Sequence, residues 1–371
     1  MDFTLTDEQK ALAELAEQIL NDHATLERSK ALEESSERID RDAWKRLAES
    51  GLVGIAIPEA YGGAGAGFVD VCLVLEQVGR KVAHVPFLPT VVYGALPIAE
   101  FGSEGQKKRF LPGVAKGDLL LTAAFAEFGT EAREPVTTAK RAGEGFRLDG
   151  VKMAVPIAAQ SEVVLVPAKL EDGGVAVFLV DPRAKGVQLD AQETTNWETE
   201  YKMTLDGATV DRSAVLGSTE RGEEILGWIV DRATAGLCAI ASGVAQSALR
   251  ITADYASNRK QFEKPIASFQ AVSQRLADGF IDNEAMNLTM WQAVTRLAGG
   301  MPSDEEIATA KYWAGEGGSR IGHTALHIHG GISIDVDYPI QRYFLWAKQI
   351  EYTLGSPTIQ LKRLGALLAA D

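Results

Sequence analysis

Apolar positions recur at helical spacing almost from the first residue. Leu12, Leu15 and Ile19 step by three and four behind Thr6 and Gln9, which form a capping-box pair, so a helix is predicted there. The same period marks 41–50, 68–81, 93–101 and 104–114, with breaks at Pro58, at the glycines between Gly62 and Gly67, and at Pro86. After Gly117 the texture changes. Short β-branched runs such as Val163–Val166 and Val175–Val180 alternate with turn signals at Asp149–Gly150 and Asp172–Gly174, predicting strands from about 119 to 215. Beyond Gly222 the helical period returns, and Leu237, Ile240, Val244, Ala248, Ile251 and Tyr255 form one stripe of a long helix. Further helices are predicted at 267–298, 303–329, 338–353 and from Pro357 onward. The expected fold class is therefore α+β: an N-terminal α-helical domain (1–118), a central β-domain (119–216) and a C-terminal α-helical bundle (217–371).

Composition narrows the partners. A chain of 371 residues with 46% hydrophobic and 24% charged content is an ordinary globular one. A formal charge of −14 argues against nucleic acid or an anionic membrane surface as the main partner. Cys72 and Cys238 stand far apart within apolar runs and read as buried thiols of a reducing compartment. The chain enters a helix with no basic-then-apolar leader, and no uninterrupted apolar run reaches membrane-spanning length, so a cytoplasmic location without membrane insertion is expected.

Four segments resemble the acyl-CoA dehydrogenase family, in the family's order and over nearly the whole chain. Gly51-Leu52-Val53-Gly54-Ile55-Ala56-Ile57-Pro58-Glu59 with Tyr61-Gly62-Gly63 is similar to its early Pro-Glu…Tyr-Gly-Gly turn. Arg259, Lys260, Gln261 and Phe262, then Lys264-Pro265-Ile266, resemble its Arg-x-x-Phe-Gly-x-x-Ile element, with Glu263 in place of the glycine. Ala325-Leu326-His327-Ile328-His329-Gly330-Gly331 resembles its flavin-side Gly-Gly turn. The block from Asp337 to Gln360 matches its last two helices and the loop between them, with Leu345-Trp346 where an Arg-Asp pair is common.

The resemblance implies the acyl-CoA dehydrogenase fold, FAD as cofactor and an acyl-CoA as substrate. In that chemistry a carboxylate takes the α-proton while hydride leaves the β-carbon for the flavin. Each flavin of the homomeric family touches two chains. One supplies the β-domain face and the catalytic glutamate; its neighbour supplies the Arg-x-x-Phe element and the Gly-Gly turn.

The neighbour-type half is present as Arg259, Phe262, Gln270, His327, Gly330 and Gly331, where an arginine fork suits a pyrophosphate and glycine lets backbone amides approach. The own-chain half is eroded. Ala126-Glu127-Phe128 stands where the family has Thr-Glu-Pro, and Ala154-Val155-Pro156 where it has Trp-x-Thr. Glu127 reads as a solvated carboxylate at a strand end. Leu354, in Glu351-Tyr352-Thr353-Leu354-Gly355-Ser356-Pro357-Thr358-Ile359-Gln360, occupies the position of the catalytic glutamate and cannot take a proton. Some relatives carry the base at the start of the long C-terminal helix, which here is Asp231, a candidate catalytic residue; its plainer reading is a pair with Arg232 or a cap. Glu351 is expected to face elsewhere. His327 and His329, two apart on a helix, point to different faces and suggest no metal.

The leading expectation is a subunit of a heterotetramer that completes a sister chain's FAD site, as in the α2β2 enzymes acting on steroid side chains as CoA thioesters. An electron-transfer flavoprotein or another acceptor would reoxidise the flavin. Two alternatives stand beside it: a self-sufficient homotetramer with Asp231 as base, and a non-catalytic dehydrogenase-like binding protein.

Overall fold

The computed structural model describes residues 3–370, which fold as two compact units. One comprises residues up to Glu33, Phe68–His84 and Thr234 to the C-terminus; the other comprises Glu34–Gly67 and Val85–Ala233. These units cut across the three segments read from the sequence. The helix at 68–81 belongs with the C-terminal bundle, because its Gly79 and Gly243 of the long helix admit a close crossing. A Cβ on Gly79 would overlap the Ile240 carbonyl, and one on Gly243 the Glu76 carbonyl.

The helical unit holds α1 (Asp7–His23), α2 (Leu26–Glu33), α4 (Phe68–Lys81), most of α7 (Gly222–Asn258), α8 (Gln270–Ala298), α9 (Asp304–His329), α10 (Ile340–Tyr352) and α11 (Pro357–Ala370). The predicted capping box opens α1: Gln9 N–H donates to Thr6 Oγ1 at 3.2 Å and Thr6 N–H to Gln9 Oε1 at 3.1 Å. Leu237, Ile240, Val244 and Ala248 of α7 are all buried, as their spacing predicts. Among the described residues α7 alone is long and apolar enough to cross a membrane. Its apolar window is 78% buried, so it reads as a core helix. Cys72 and Cys238 are buried free thiols, and burial pushes the Cys238 thiol up to about 12.

The second unit holds α3 (Arg41–Glu49), a π-helical stretch (Leu88–Ala95) running into α5 (Leu96–Phe101), α6 (Glu104–Ala115) and a seven-stranded mixed sheet. Its strands are β1 (Leu121–Ala123), β2 (Thr138–Ala142), β3 (Gly145–Pro156), β4 (Val163–Leu170), β5 (Val175–Val180), β6 (Val187–Gln192) and β7 (Glu200–Val210). They run in the order β1-β4-β2-β3-β7-β6, with β5 on the other side of β4. The β-branched runs seen in the sequence are β4 and β5, buried on both faces. Val164, Val166, Phe178, Leu148 and Met203 form the core that they share with β3 and β7. The register between β3 and β7 slips after Leu148 and again between Lys152 and Val155, bending β3 where the eroded motif lies.

Candidate functional site

The retained residues all lie in the helical unit. After α7 the chain makes a two-residue hairpin, β8 (Lys260–Gln261) against β9 (Lys264–Pro265), with Phe262 and Glu263 at its tip. Its root is closed by Arg259 N–H donating to Tyr255 O and Ile266 N–H donating to Arg259 O, both at 2.8 Å. Phe262 and Glu263 have φ of +52° and +66°. Glu263 thus adopts the left-handed backbone for which the family uses glycine, a conformation that costs a non-glycine residue about 1 kcal/mol. The hairpin forms with a glutamate at this position.

That shape presents Phe262 with 87% of its surface in solvent. The Arg259 side chain is exposed, and among the described residues no hydrogen bond or ion pair engages its guanidinium. Gln270 is exposed as the first residue of α8. At the end of α9, Gly330 turns the chain with φ +65°, and a Cβ on Gly330 or Gly331 would meet nothing within 4 Å. Both backbones therefore face open space. His327 lines a groove of about 860 Å³ between α8 and α9, with Arg275, His323 and an Arg320 held by Asp282 and Glu316. A free guanidinium, an open glycine turn and an uncovered aromatic ring fit the pyrophosphate and flat rings of a dinucleotide.

The loop carrying Leu354 is in the same unit and is tightly built. Lys311, fully buried on α9, donates its ammonium to the carbonyls of Ile350 (2.9 Å), Glu351 (3.3 Å) and Gly355 (3.0 Å). Gln360 Nε2 donates to Leu354 O at 3.0 Å. Leu354 itself has φ +56°. Glu351 pairs with Lys348 at 2.6 Å, as expected of a carboxylate turned elsewhere. Trp346 is buried and meets His84 edge-on, so it is core.

The eroded residues lie in the second unit, where the sheet brings them side by side. Ala126 bridges to Met153, and Met153 N–H donates to Ala126 O at 2.9 Å. Ala154 has φ +49°, and its N–H donates to Gln192 Oε1 at 2.8 Å. Pro156 ends β3 opposite Glu200. Thus the two motifs meet, with Ala126 and Pro156 in place of the resemblance's hydroxyls and Ala154 in place of its aromatic ring.

One expectation about acids needs correction, and another gains a partner. Glu127 is not solvated: it is buried, ion-paired with the fully buried Lys152, and accepts the N–H groups of Val136 and Thr137, each at 2.9 Å. Burial draws the Lys152 ammonium down to about 8 against the attraction of Glu127. The signal was present in the sequence, since Phe146, Leu148 and Lys152 share one face of a strand of period two. Asp231 is ion-paired with Arg133 from the loop after β1, and its charge also acts on the neighbouring Arg232. Arg232 also lies over the Trp228 ring, 3.7 Å from its centroid.

The comparisons agree on one family. Residues 6–118 match the acyl-CoA dehydrogenase N-terminal domain and residues 220–368 the acyl-CoA dehydrogenase C-terminal domain. The chain belongs to the acyl-CoA dehydrogenase family. Members are flavin-dependent oxidoreductases acting on CH–CH groups. Acyl-CoA dehydrogenase FadE27 of Mycobacterium tuberculosis is 39% identical over 100% of this chain and 99% of its own. Among solved structures, the ChsE4-ChsE5 complex from Mycobacterium tuberculosis matches with TM-score 0.95 at 39% identity, over 100% of both chains. A variant of the Tcur3481-Tcur3483 steroid ACAD matches with TM-score 0.93 at 45% identity, over 99% of both.

Proposed function

We propose that this chain is one subunit of a heteromeric FAD-dependent acyl-CoA dehydrogenase, in which it completes the flavin site of a sister chain. The observation that carries the reading is the inequality of its two halves. Arg259, Phe262, Gly330 and Gly331 are shaped and uncovered. Leu354, Ala126, Ala154 and Pro156 occupy well-formed backbone that has lost its chemistry.

In the assembly Arg259 would hold the pyrophosphate, Phe262 would offer the cofactor an apolar wall and the Gly330–Gly331 turn would offer its amides. Gln270 and His327 add polar contacts alongside. Bound flavin supplies the hydride acceptor. Leu354 offers no base, so the sister chain's carboxylate removes the α-proton. Asp231, neutralised by Arg133, serves the structure of this chain. The substrate proposed is the CoA thioester of a steroid side chain, supported by similarity to the Tcur3481-Tcur3483 steroid ACAD. A two-chain assembly is supported by similarity to the ChsE4-ChsE5 complex. An electron-transfer flavoprotein is the proposed acceptor.

The test is to purify the chain alone and then with a co-expressed sister dehydrogenase, recording flavin absorbance and acyl-CoA turnover of each. Flavin and turnover are expected only in the complex. Stoichiometric flavin with turnover from the lone chain would overturn the proposal in favour of a self-sufficient enzyme using Asp231. A complex without flavin would overturn it in favour of a binding protein.

A further inference from the structure

The hairpin with Arg259 and the turn with Gly330 are separated by two long helices in sequence, yet a cluster of three rings joins their roots. Tyr255, in the last turn of α7, stacks on His329, the last residue of α9, with centroids 4.4 Å apart and planes at 25°. Tyr338, from the segment after the glycine turn, closes the cluster, 5.2 Å from the His329 ring and edge-on to Tyr255 at 6.4 Å.

The polar atoms of this cluster define the imidazole. His329 Nδ1 lies 2.8 Å from Ala325 O, a carbonyl, so Nδ1 carries the proton and donates. Nε2 is left as acceptor and lies 3.1 Å from the Tyr338 hydroxyl, which donates to it. Burial holds the imidazole below its usual value, consistent with a neutral ring. Tyr255 and His329 are each tied to one part of the candidate site. The Tyr255 carbonyl receives the Arg259 N–H at 2.8 Å, and His329 is bonded directly to Gly330.

We propose that the Tyr255–His329 stack is the positioning element that sets Arg259 against the Gly330–Gly331 turn, and thereby fixes the affinity of this half-site for the pyrophosphate of a flavin dinucleotide. The inference rests on the proposed subunit role. Neither ring touches the cofactor in this account; both act through the backbone they anchor. A ring at Tyr255 is what the stack requires, because the hydroxyl makes only a 3.5 Å contact with His329 O. The Arg259 fork needs its distance from the turn amides fixed, since bidentate recognition is geometrically strict.

The experiment measures FAD dissociation constants of the co-expressed complex by flavin fluorescence for wild type, Tyr255→Leu and Tyr255→Phe. Tyr255→Leu is expected to weaken FAD about tenfold or more, as expected when charge-assisted contacts lose alignment, with turnover at saturating FAD unchanged. Tyr255→Phe is expected to stay within about twofold, rescuing the ring without the hydroxyl. A Tyr255→Leu complex that binds FAD like wild type would overturn the proposal, as would a Tyr255→Phe complex as weak as Tyr255→Leu. A wild-type complex without flavin would instead sink the subunit role. Amide hydrogen exchange on the lone chain separates the two. Tyr255→Leu, though on α7, is expected to speed exchange across 329–334; acceleration confined to 255–266 would show that the stack does not couple the segments.

Discussion

The Lys311 ammonium donates to the Gly355 carbonyl at 3.0 Å, and with Ile350 and Glu351 it holds three carbonyls of a loop that no longer carries a base. Lys311→Met keeps the stem and removes the donor. It is expected to cost on the order of 3 kcal/mol, because buried carbonyls are left unpaired. Burial also draws the ammonium down to about 8. An unfolded lysine titrates near about 10.4, so between these values the unfolded state holds a proton that the folded state has released. Stability of the wild type relative to Lys311→Met should therefore rise with pH through that window and be flat below it. Urea unfolding of both proteins at neutral and alkaline pH checks this; a gap that narrows on raising the pH contradicts it.

Leu354→Glu restores the missing carboxylate within an otherwise intact loop. The lone chain is nonetheless expected to remain inactive, because Ala126 and Pro156 still lack hydroxyls and Ala154 still lacks an aromatic ring. Flavin bleaching by acyl-CoA in the variant supplied with excess FAD is the readout, and any turnover would show the eroded half to be competent. At the same position Leu354→Gly should be about 1 kcal/mol more stable than Leu354→Ala, since only glycine adopts this left-handed backbone without strain.

Asp231→Asn is expected to leave turnover of the assembled enzyme within about twofold, while lowering stability by about 1–2 kcal/mol through loss of the half-buried pair with Arg133. Steady-state kinetics and thermal unfolding of the same preparation decide between roles. Loss of turnover by orders of magnitude would return Asp231 to the mechanism.

Lys152→Met should be among the most damaging single changes in the second unit. It leaves the Glu127 carboxylate buried with two amide donors and no counter-charge, a situation that costs about 3–5 kcal/mol. Denaturant midpoints would show the loss; a midpoint near that of wild type would mean that Glu127 finds another partner.

Arg259→Gln removes an exposed charge without partners among the described residues, so the lone chain should keep its melting temperature while the complex loses FAD affinity by about tenfold or more. Equal affinity would remove Arg259 from the flavin site.

The helices announced themselves because their apolar stripes and caps are local signals. The capping box at Thr6, the stripe through Leu237 and Ala248, and the runs at Val163 and Val175 all appear where their period places them. What escaped was chemistry made by long-range pairing. Lys152 with Glu127 and Arg133 with Asp231 depend on sheet register and on a loop path that periodicity does not encode. Lys311 was within reach, since Ile307, Lys311, Ala314 and Gly318 share a helical stripe and a lysine on such a stripe must find acceptors. The compact units escaped as well, because the close crossing of Gly79 and Gly243 joins residues distant in sequence.

The hairpin that holds Phe262 in water bears on how the chain is produced. With Phe280, Ile281 and Leu288 also exposed on α8, under the proposed subunit role a copy without its partner would carry unsheltered apolar surface. Any surplus of one chain over the other is then a pool prone to self-association. Equal supply of the two chains becomes a matter of solubility before it is one of catalysis.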